Sequence, residues 1–342
     1  MIKTAIVILN WNGIGYLKKF LTVAVKYSSS ADTALFIADN GSTDGSDDWV
    51  ENNFPEIKLI RLNTNHGFAG GYNIALQQID AEYFILLNSD IEVTPGWTEP
   101  LISFMENNPE AAACQPKILS WHNRECFEYA GAAGGYIDKY GYPFCRGRIF
   151  DYVEKDSGQY DSRKEIFWSS GACMIVRADA WNNCSGFDAD FFAHMEEIDL
   201  CWRFHKAGYR VCFIHESVVY HVGGGALQYD SPFKTYLNFR NNLFLLYKNL
   251  PQRAFHTTLF IRKLLDGIAA LKFIFTGKFA DFRSVWKAHM YYYKNLSSLK
   301  KKREYIKNLP GPESINTILN KSIVFEFYIK RNKTFDKLKM NI

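Results

Sequence analysis

An α/β fold, with a mostly parallel sheet covered by helices on both sides and a helical, basic extension behind it, is what this sequence of 342 residues predicts. Three observations carry that prediction. Short apolar runs without alternation recur through the first half and are separated by stretches of helical spacing, in a β-α-β-α order with short loops. The runs end abruptly in small polar residues, and in an open α/β sheet ligands bind beyond the carboxyl ends of the strands. The charge then changes sign: residues 1–233 hold 18 Lys and Arg against 30 Asp and Glu, a balance of −12, and residues 234–342 hold 22 against 6, a balance of +16. The expected division is an α/β domain at 1–232, in halves of about 1–118 and 119–232, followed by the extension at 233–342.

The first strand is expected at 4–9, apolar and β-branched as befits burial on both faces. Asn10, Trp11, Asn12 and Gly13 end it, and helical spacing follows over 16–26. A second strand at 33–38 runs into DNGSTDGS at 39–46, a turn-forming loop with free backbone N–H groups before a helix at 47–53. A third strand at 57–62 precedes NHGFAGGYN at 65–73. Its three glycines allow close backbone approach to a ligand at a helix N-terminus, although such turns also serve packing alone. The fourth strand, 84–87, delivers Asn88, Ser89 and Asp90 to the same edge, where a carboxylate can meet a divalent cation. Taken by itself, that pattern is an ordinary Asx-turn.

A helix with Pro95 in its first turn is predicted over 95–107, then a strand over 111–119. Residues 120–165 show little periodicity and fit either a mobile loop or a small β-excursion. A glycine-broken strand follows at 167–177. Helical spacing resumes at Glu196 and runs to Gly208, with Glu196, Glu197 and Asp199 in the first turn, where the helix dipole favours carboxylates whatever their role. Strands at 209–214 and 218–222 come next, the second carrying His221 into a glycine turn at 223–225.

The extension opens with a helix at 234–250. Ile261, Leu264, Leu265, Ile268, Leu271 and Phe275 then mark one apolar helical face, interrupted by Arg262, Lys263 and Lys272 too early for a membrane span. That face fits an interfacial helix or a helix packed on its own domain. The final stretch shows no strong core signal and is expected to be weakly ordered. Seven cysteines, an odd number without CxxC spacing, point to free thiols in a reducing compartment. No apolar run is long enough for a signal peptide or a spanning helix, so a cytoplasmic protein peripheral to a membrane is expected.

Eight segments in order, VILNWNG at the start, DNGSTDGS, NHGFAGGYN, LLNSD at 86–90, WSSGACMIVR at 168–177, GFDADFF at 186–192, EEIDLCWR at 196–203 and HVGGG at 221–225, resemble the family 2 glycosyltransferases. The resemblance runs from residue 2 to about 250 and is strongest to their rhamnosyltransferase-like branch. It implies the GT-A fold, a Rossmann-like sheet, and roles for particular residues. Asn10, Asn12, Asp39, Asn40, Gly41 and Asp44 would line the nucleotide, with Asp39 accepting a hydrogen bond from the base. Asn65, Gly67, Phe68, Gly71 and Asn73 would flank the nucleoside and diphosphate, and Asn88, Trp168 and Gly171 would complete the donor site. Asp90 would hold Mg²⁺ or Mn²⁺ together with His221. Asn88 stands where the family has the first Asp of its DxD motif, and substitutes a neutral oxygen for a charged one.

Glu197 occupies the place of the family's general-base Asp, one methylene longer, with Glu196 and Asp199 as alternatives. The implied reaction is an inverting transfer from a dTDP- or UDP-sugar to a hydroxyl of a glycan or polyprenyl-linked acceptor, in cell-surface polysaccharide synthesis. Rhamnose from a dTDP donor is what the resemblance favours, and the basic extension would lie against the anionic inner face of the plasma membrane. Two rival readings stand beside it. The departures at Asn88 and Glu197 fit a non-catalytic nucleotide-sugar binder, and the basic extension fits a nucleic-acid binder. The second lacks any recognised module, and an acidic first half repels phosphates, so no nucleic-acid partner is expected. Sugar, nucleotide, acceptor linkage and oligomeric state stay open.

Overall fold

The structure, a computed structural model, describes residues 2–30, 32–223, 231–312 and 314–340. Gly224 and Gly225 of the expected glycine turn lie outside the described residues. Four parallel strands, β1 (Ile2–Asn10), β2 (Thr33–Asn40), β3 (Lys58–Leu62) and β4 (Ala81–Asn88), lie in the order β3-β2-β1-β4. Helices α1 (Ile14–Ser28), α2 (Ser46–Asn53) and α3 (Gly67–Leu76) connect them, the crossovers that parallel pairing requires. β1, β2 and β4 are largely apolar on both faces because both are covered, while β3, at the sheet edge, leaves Lys58 and Arg61 exposed. Ala5, Val7 and Leu86 meet Ala69 and Tyr72 of α3 on one side. On the other, Ile6, Ile8 and Ile85 meet Leu17 and Leu21 of α1.

Short β5 (Ile91–Val93) follows, then α4 (Glu99–Asn107) and β6 (Ala111–Ser120). The helix expected from Pro95 starts instead at Glu99, with Pro100 in its first turn. Residues 94–97 form a turn in which Trp97 N–H bonds to the Thr94 carbonyl and Gly96 adopts φ 73°. Residues 120–165 are the β-excursion of the two alternatives. Strands β7 (Gly135–Asp138), β8 (Pro143–Cys145), β9 (Arg148–Ile149) and β10 (Tyr152–Val153) form most of a second, five-stranded sheet. Then β11 (Lys164–Glu165) and β12 (Cys173–Arg177) return to the main sheet. The strand expected over 167–177 is thus extended only from Cys173. Before it, residues 167–172 form a turn whose Ser170 hydroxyl bonds the Ala130 carbonyl.

α5 (Ala178–Asn183) and α6 (Glu196–Lys206) lead to β13 (Arg210–His221). The two strands expected over 209–222 are one strand, its register against β6 shifted by an irregularity between Ile214 and Val218. The extension consists of α7 (Pro232–Asn249), α8 (Gln252–Phe275), α9 (Phe279–Lys294) and α10 (Leu296–Lys307), followed by β14 (Ile318–Leu319) and α11 (Ile323–Tyr328). The expectation of weak order at the end of the chain is corrected. β14 pairs in parallel with β7, and Ile323, Phe327 and Leu338 are buried in the core. Asp138 anchors the arrangement, one carboxylate oxygen accepting from Tyr140 and Tyr142 N–H and the other from Ile323 N–H. All seven cysteines are free.

Candidate active site

At the carboxyl end of β4 the chain turns after Asn88 and re-pairs as β5 with the end of β13, so that Ile91 lies opposite His221. That pairing brings Asp90 to His221. The Asp90 carbonyl accepts from Val222 N–H at 3.1 Å, and its Oδ1 lies 3.1 Å from His221 Nε2. Both side chains are buried, and on the far side of the ring His221 Nδ1 stands 3.4 Å from Glu128 Oε2. Burial disfavours the charged imidazole, but Glu128 and Asp90 on its two sides outweigh it and carry the His221 pKa up to about 10. Burial likewise works against the Asp90 charge, and the imidazole overrides it, holding the carboxyl below its ordinary value.

The residues fit a divalent cation. Asp90 supplies a hard oxygen, His221 a nitrogen whose partner atom faces a carboxylate, and the positive charge now carried by the imidazolium is what a cation would replace. Among the described residues no ready-made cluster of three or more His, Cys, Asp or Glu ligands exists.

The second cluster starts α6. Glu196 is buried, Glu197 is half-buried, and Oε2 of each has no hydrogen-bond partner among the described residues. Burial raises both pKa values, reaching about 7 for Glu197, and the neighbouring Glu197 charge adds to the rise at Glu196. Gly171 lies between Phe68 and Glu197. A Cβ there would sit 3.2 Å from the Phe68 ring and 3.8 Å from Glu197 Cβ, and the next residue, Ala172, accepts from Asn88 N–H at 2.9 Å. The two carboxylates and the turn that carries Asp90 are thus tied to the same few residues.

Asp199 is removed as a base. It is fully buried and accepts from Arg203, Lys248 and Asn249 at 3.0, 2.9 and 2.8 Å, so its charge is spent holding α7 to α6.

The donor-side residues form a connected hydrogen-bond frame. Asn10 Nδ2 donates to Asp39 Oδ1 at 3.2 Å and to Ser46 Oγ at 2.8 Å, while Asp39 Oδ2 accepts from Ser42 N–H. Asn12 accepts from Thr43 N–H, and Asp44 from Ile14 N–H. Asn40 bonds Asn65, the Gly67 carbonyl and His66 N–H. Gly41 (φ 73°) backs onto Thr64, and Gly71 onto Leu9 and Asn40. Gly67 (φ 71°) lies under the Phe192 ring, where a Cβ would come within 2.5 Å, and Ala69 N–H bonds the Phe192 carbonyl.

Two donor-site expectations are corrected. Asn73 spends both ends of its amide on the Phe187 backbone, at 2.7 and 3.0 Å. Trp168 is buried against Gly135, its indole N–H bonded to the Tyr136 carbonyl.

Three residues escaped sequence reasoning. Glu128 lies in a segment without periodicity, and nothing in its neighbours marks it. Arg240 and Asn241 sit inside α7 and bond the loop before the carboxylate pair. Asn241 Nδ2 donates to the carbonyls of Phe191, Ala193 and His194 at 3.0, 2.8 and 2.7 Å, and Arg240 Nη2 donates to those of Asp190 and Phe191. A signal was present: Asn241 and Asn242 are adjacent poor helix formers in the middle of a helix.

Residues 5–142 match the model of Glycosyl transferase family 2, and residues 83–228 that of Glycosyl transferase family group 2. The chain is 26% identical over 224 residues to the N-acetylglucosaminyl-diphospho-decaprenol L-rhamnosyltransferase of Mycobacterium tuberculosis, covering 60% of this chain and 71% of that one. It is 24% identical over 156 residues to the rhamnosyltransferase WbbL of Escherichia coli, covering 44% and 58% respectively. Among solved structures it is similar to GalNAc-T7 with UDP, GalNAc and Mn²⁺ (TM-score 0.55, 14% identity, 72% of this chain and 48% of that one). It is also similar to the mannosyltransferase PcManGT of Pyrobaculum calidifontis in complex with GDP-Man and Mn²⁺ (TM-score 0.51, 12% identity, 89% and 85%). At such identities the structural likeness speaks for the fold alone. With the two matches running from residue 5 to 228 over the strands, turns and helix start just described, the chain belongs to glycosyltransferase family 2 and has the GT-A fold.

Proposed function

We propose that this glycosyltransferase moves a sugar from a nucleoside-diphosphate donor to a hydroxyl of a glycan or polyprenyl-linked acceptor, with inversion at the anomeric carbon. The observation that carries the reading is Glu197, a carboxylate with one unpartnered oxygen, poised near neutral pH at the start of a helix and next to the strand-end turn that holds Asp90. Glu197 takes the proton from the acceptor hydroxyl as that oxygen attacks, and the nucleoside diphosphate leaves. Asp90, with His221 held by Glu128 behind it, is the place for Mg²⁺ or Mn²⁺, which when bound supplies neutralisation of the charge on the leaving diphosphate. The frame from Asn10 to Asn65 fixes the shape of the 39–46 loop, with the Ser42 and Thr43 N–H groups bonded to Asp39 and Asn12, and the nucleotide would lie against that loop. The resemblance to rhamnosyltransferases favours a dTDP-rhamnose donor and a lipid-linked acceptor, met where the basic extension lies on an anionic membrane.

The test is a screen of nucleotide sugars for hydrolysis and transfer in the presence of Mg²⁺ or Mn²⁺. One donor should be turned over, and Glu197→Gln should lower kcat by about 10²–10⁴-fold with donor affinity retained. Donor binding without turnover, unchanged in Glu197→Gln, identifies a non-catalytic binder instead.

A further inference from the structure

We propose that α8 and α9 form an amphipathic hairpin whose outer face seats on an anionic lipid bilayer. Phe260, Leu264, Ile268, Leu271 and Phe275 follow one another at helical spacing along α8 and are all exposed, Phe275 by 85%. Along α9, Phe279, Trp286, Met290 and Tyr293 repeat the pattern, Trp286 being 60% exposed. The opposite faces are the buried ones: Leu259, Arg262, Asp266 and Ala270 on α8, and Val285, Ala288 and Tyr292 on α9. Asp266 locks the pair, bonding Arg262 at 2.7 Å on its own helix and His289 at 3.2 Å on the other. Among the described residues the apolar stripes are therefore not packing surfaces. No helix among the described residues is long and apolar enough to cross a membrane, so the hairpin is suited to lying at a surface rather than spanning it.

Charge selects the occupant. Arg253, Lys272, Arg283, Lys287 and Lys294 are exposed on these two helices, and Lys278 on the turn between them. Their two carboxylates are not: Asp266 is buried in the lock just described, and Asp281 accepts a hydrogen bond from Thr235. A second copy of the chain would set these cations against themselves. Anionic headgroups neutralise them, while the interface takes up the aliphatic and aromatic side chains, Trp and Tyr at headgroup level. This deepens the transfer reading by naming the surface at which a lipid-linked acceptor is met, yet its test needs no sugar transfer.

Flotation with vesicles of phosphatidylcholine and phosphatidylglycerol, against vesicles of phosphatidylcholine alone, decides it. The protein should float with the anionic vesicles at low salt and be released as salt rises. Ile268→Glu with Phe275→Glu should lower partitioning at least about tenfold without changing the thermal melt, since both side chains are exposed. Brominated acyl chains should quench Trp fluorescence, and Trp286→Phe should remove much of that quenching. No flotation at low salt, or flotation indifferent to the double substitution, overturns the proposal. So does concentration-dependent dimerisation that the double substitution abolishes without vesicle binding, which would assign the face to a second copy. Failure here leaves a measured transferase activity untouched, and failure to find a donor leaves vesicle binding untouched.

Discussion

Three acidic residues in four positions at the head of α6 look alike in sequence and have opposite fates in the fold. Glu197 and Glu196 each keep an oxygen without a partner, whereas Asp199 has none to spare. Burial raises the Glu197 pKa to about 7, and the sign of its effect on rate follows. The base is competent only when deprotonated, so kcat should climb with rising pH through about 7 and then level off, a limb that Glu197→Gln removes. Folding stability should move the other way. The folded carboxyl holds its proton longer than the unfolded one, so stability falls as pH rises from the ordinary carboxyl range to about 7. Asp199→Asn should behave differently from both. It leaves Lys248 and Arg203 buried beside a neutral amide, and breaking a buried pair costs about 3–5 kcal/mol. A lower Tm with little change in the shape of the pH profile is the expected outcome, and a lost pH limb at unchanged Tm would return Asp199 to the role of base.

The elements that deliver these residues differ in how readable they were. Strands β1, β2 and β4 are legible because burial on both faces demands apolar runs, and Gly41, Gly67 and Gly71 beyond the strands mark places where a side chain would collide. The turn carrying Asp90 is legible for the same reason. Glu128 is not, because its position comes from a β-excursion whose short strands pair with one another and with β14 almost at the end of the chain. No local pattern encodes so long-range a contact. The structural duties of Asn73 and Trp168 were hidden too, since a motif shows which side chains are present and not which backbone groups claim them.

The loop before α6 shows an element read correctly but incompletely. Phe192, His194 and Met195 all have positive φ, at 65°, 70° and 71°, a conformation that costs non-glycine residues about 1–2 kcal/mol each. Asn241 and Arg240 hold it there by capturing the carbonyls of residues 190, 191, 193 and 194. Asn241→Ala should let the loop relax and carry Glu197 with it, lowering kcat at least about tenfold while the donor Kd stays put. Asn241→Asp, which turns donors into acceptors among carbonyls, should be no better. Wild-type kcat in either variant would confine the clamp to folding.

On the scale of the whole molecule, the acidic first part and the basic last part of the sequence invite a division near residue 232, and the side chains at that boundary argue for one cooperative unit. Lys248 of α7 bonds Asp188 and Asp199, and Lys302 of α10 bonds Asp188 and Asp190, so opposite charges of the two parts neutralise each other inside the fold. The Asp188 carboxyl, partly withdrawn from solvent, is held far below its ordinary pKa chiefly by Lys248, with Lys302 adding to it. Part of the basic surplus left over is what the α8–α9 hairpin displays. A fragment ending at residue 232 would bury Asp199 without Lys248 or Asn249 and leave the 190–194 carbonyls without Asn241. It should therefore fail to give a cooperative melt. In the full chain, Lys248→Met keeps the length of the side chain and removes its charge, leaving Asp199 to Arg203 and Asn249 and Asp188 to Lys302, with an expected loss of up to about 3–5 kcal/mol. The measurement is calorimetry on both proteins. Two separate transitions in the intact chain, or an independently folded fragment with the full-length enthalpy of its transition, would show that the extension is an appendage and that these buried pairs are incidental to the fold.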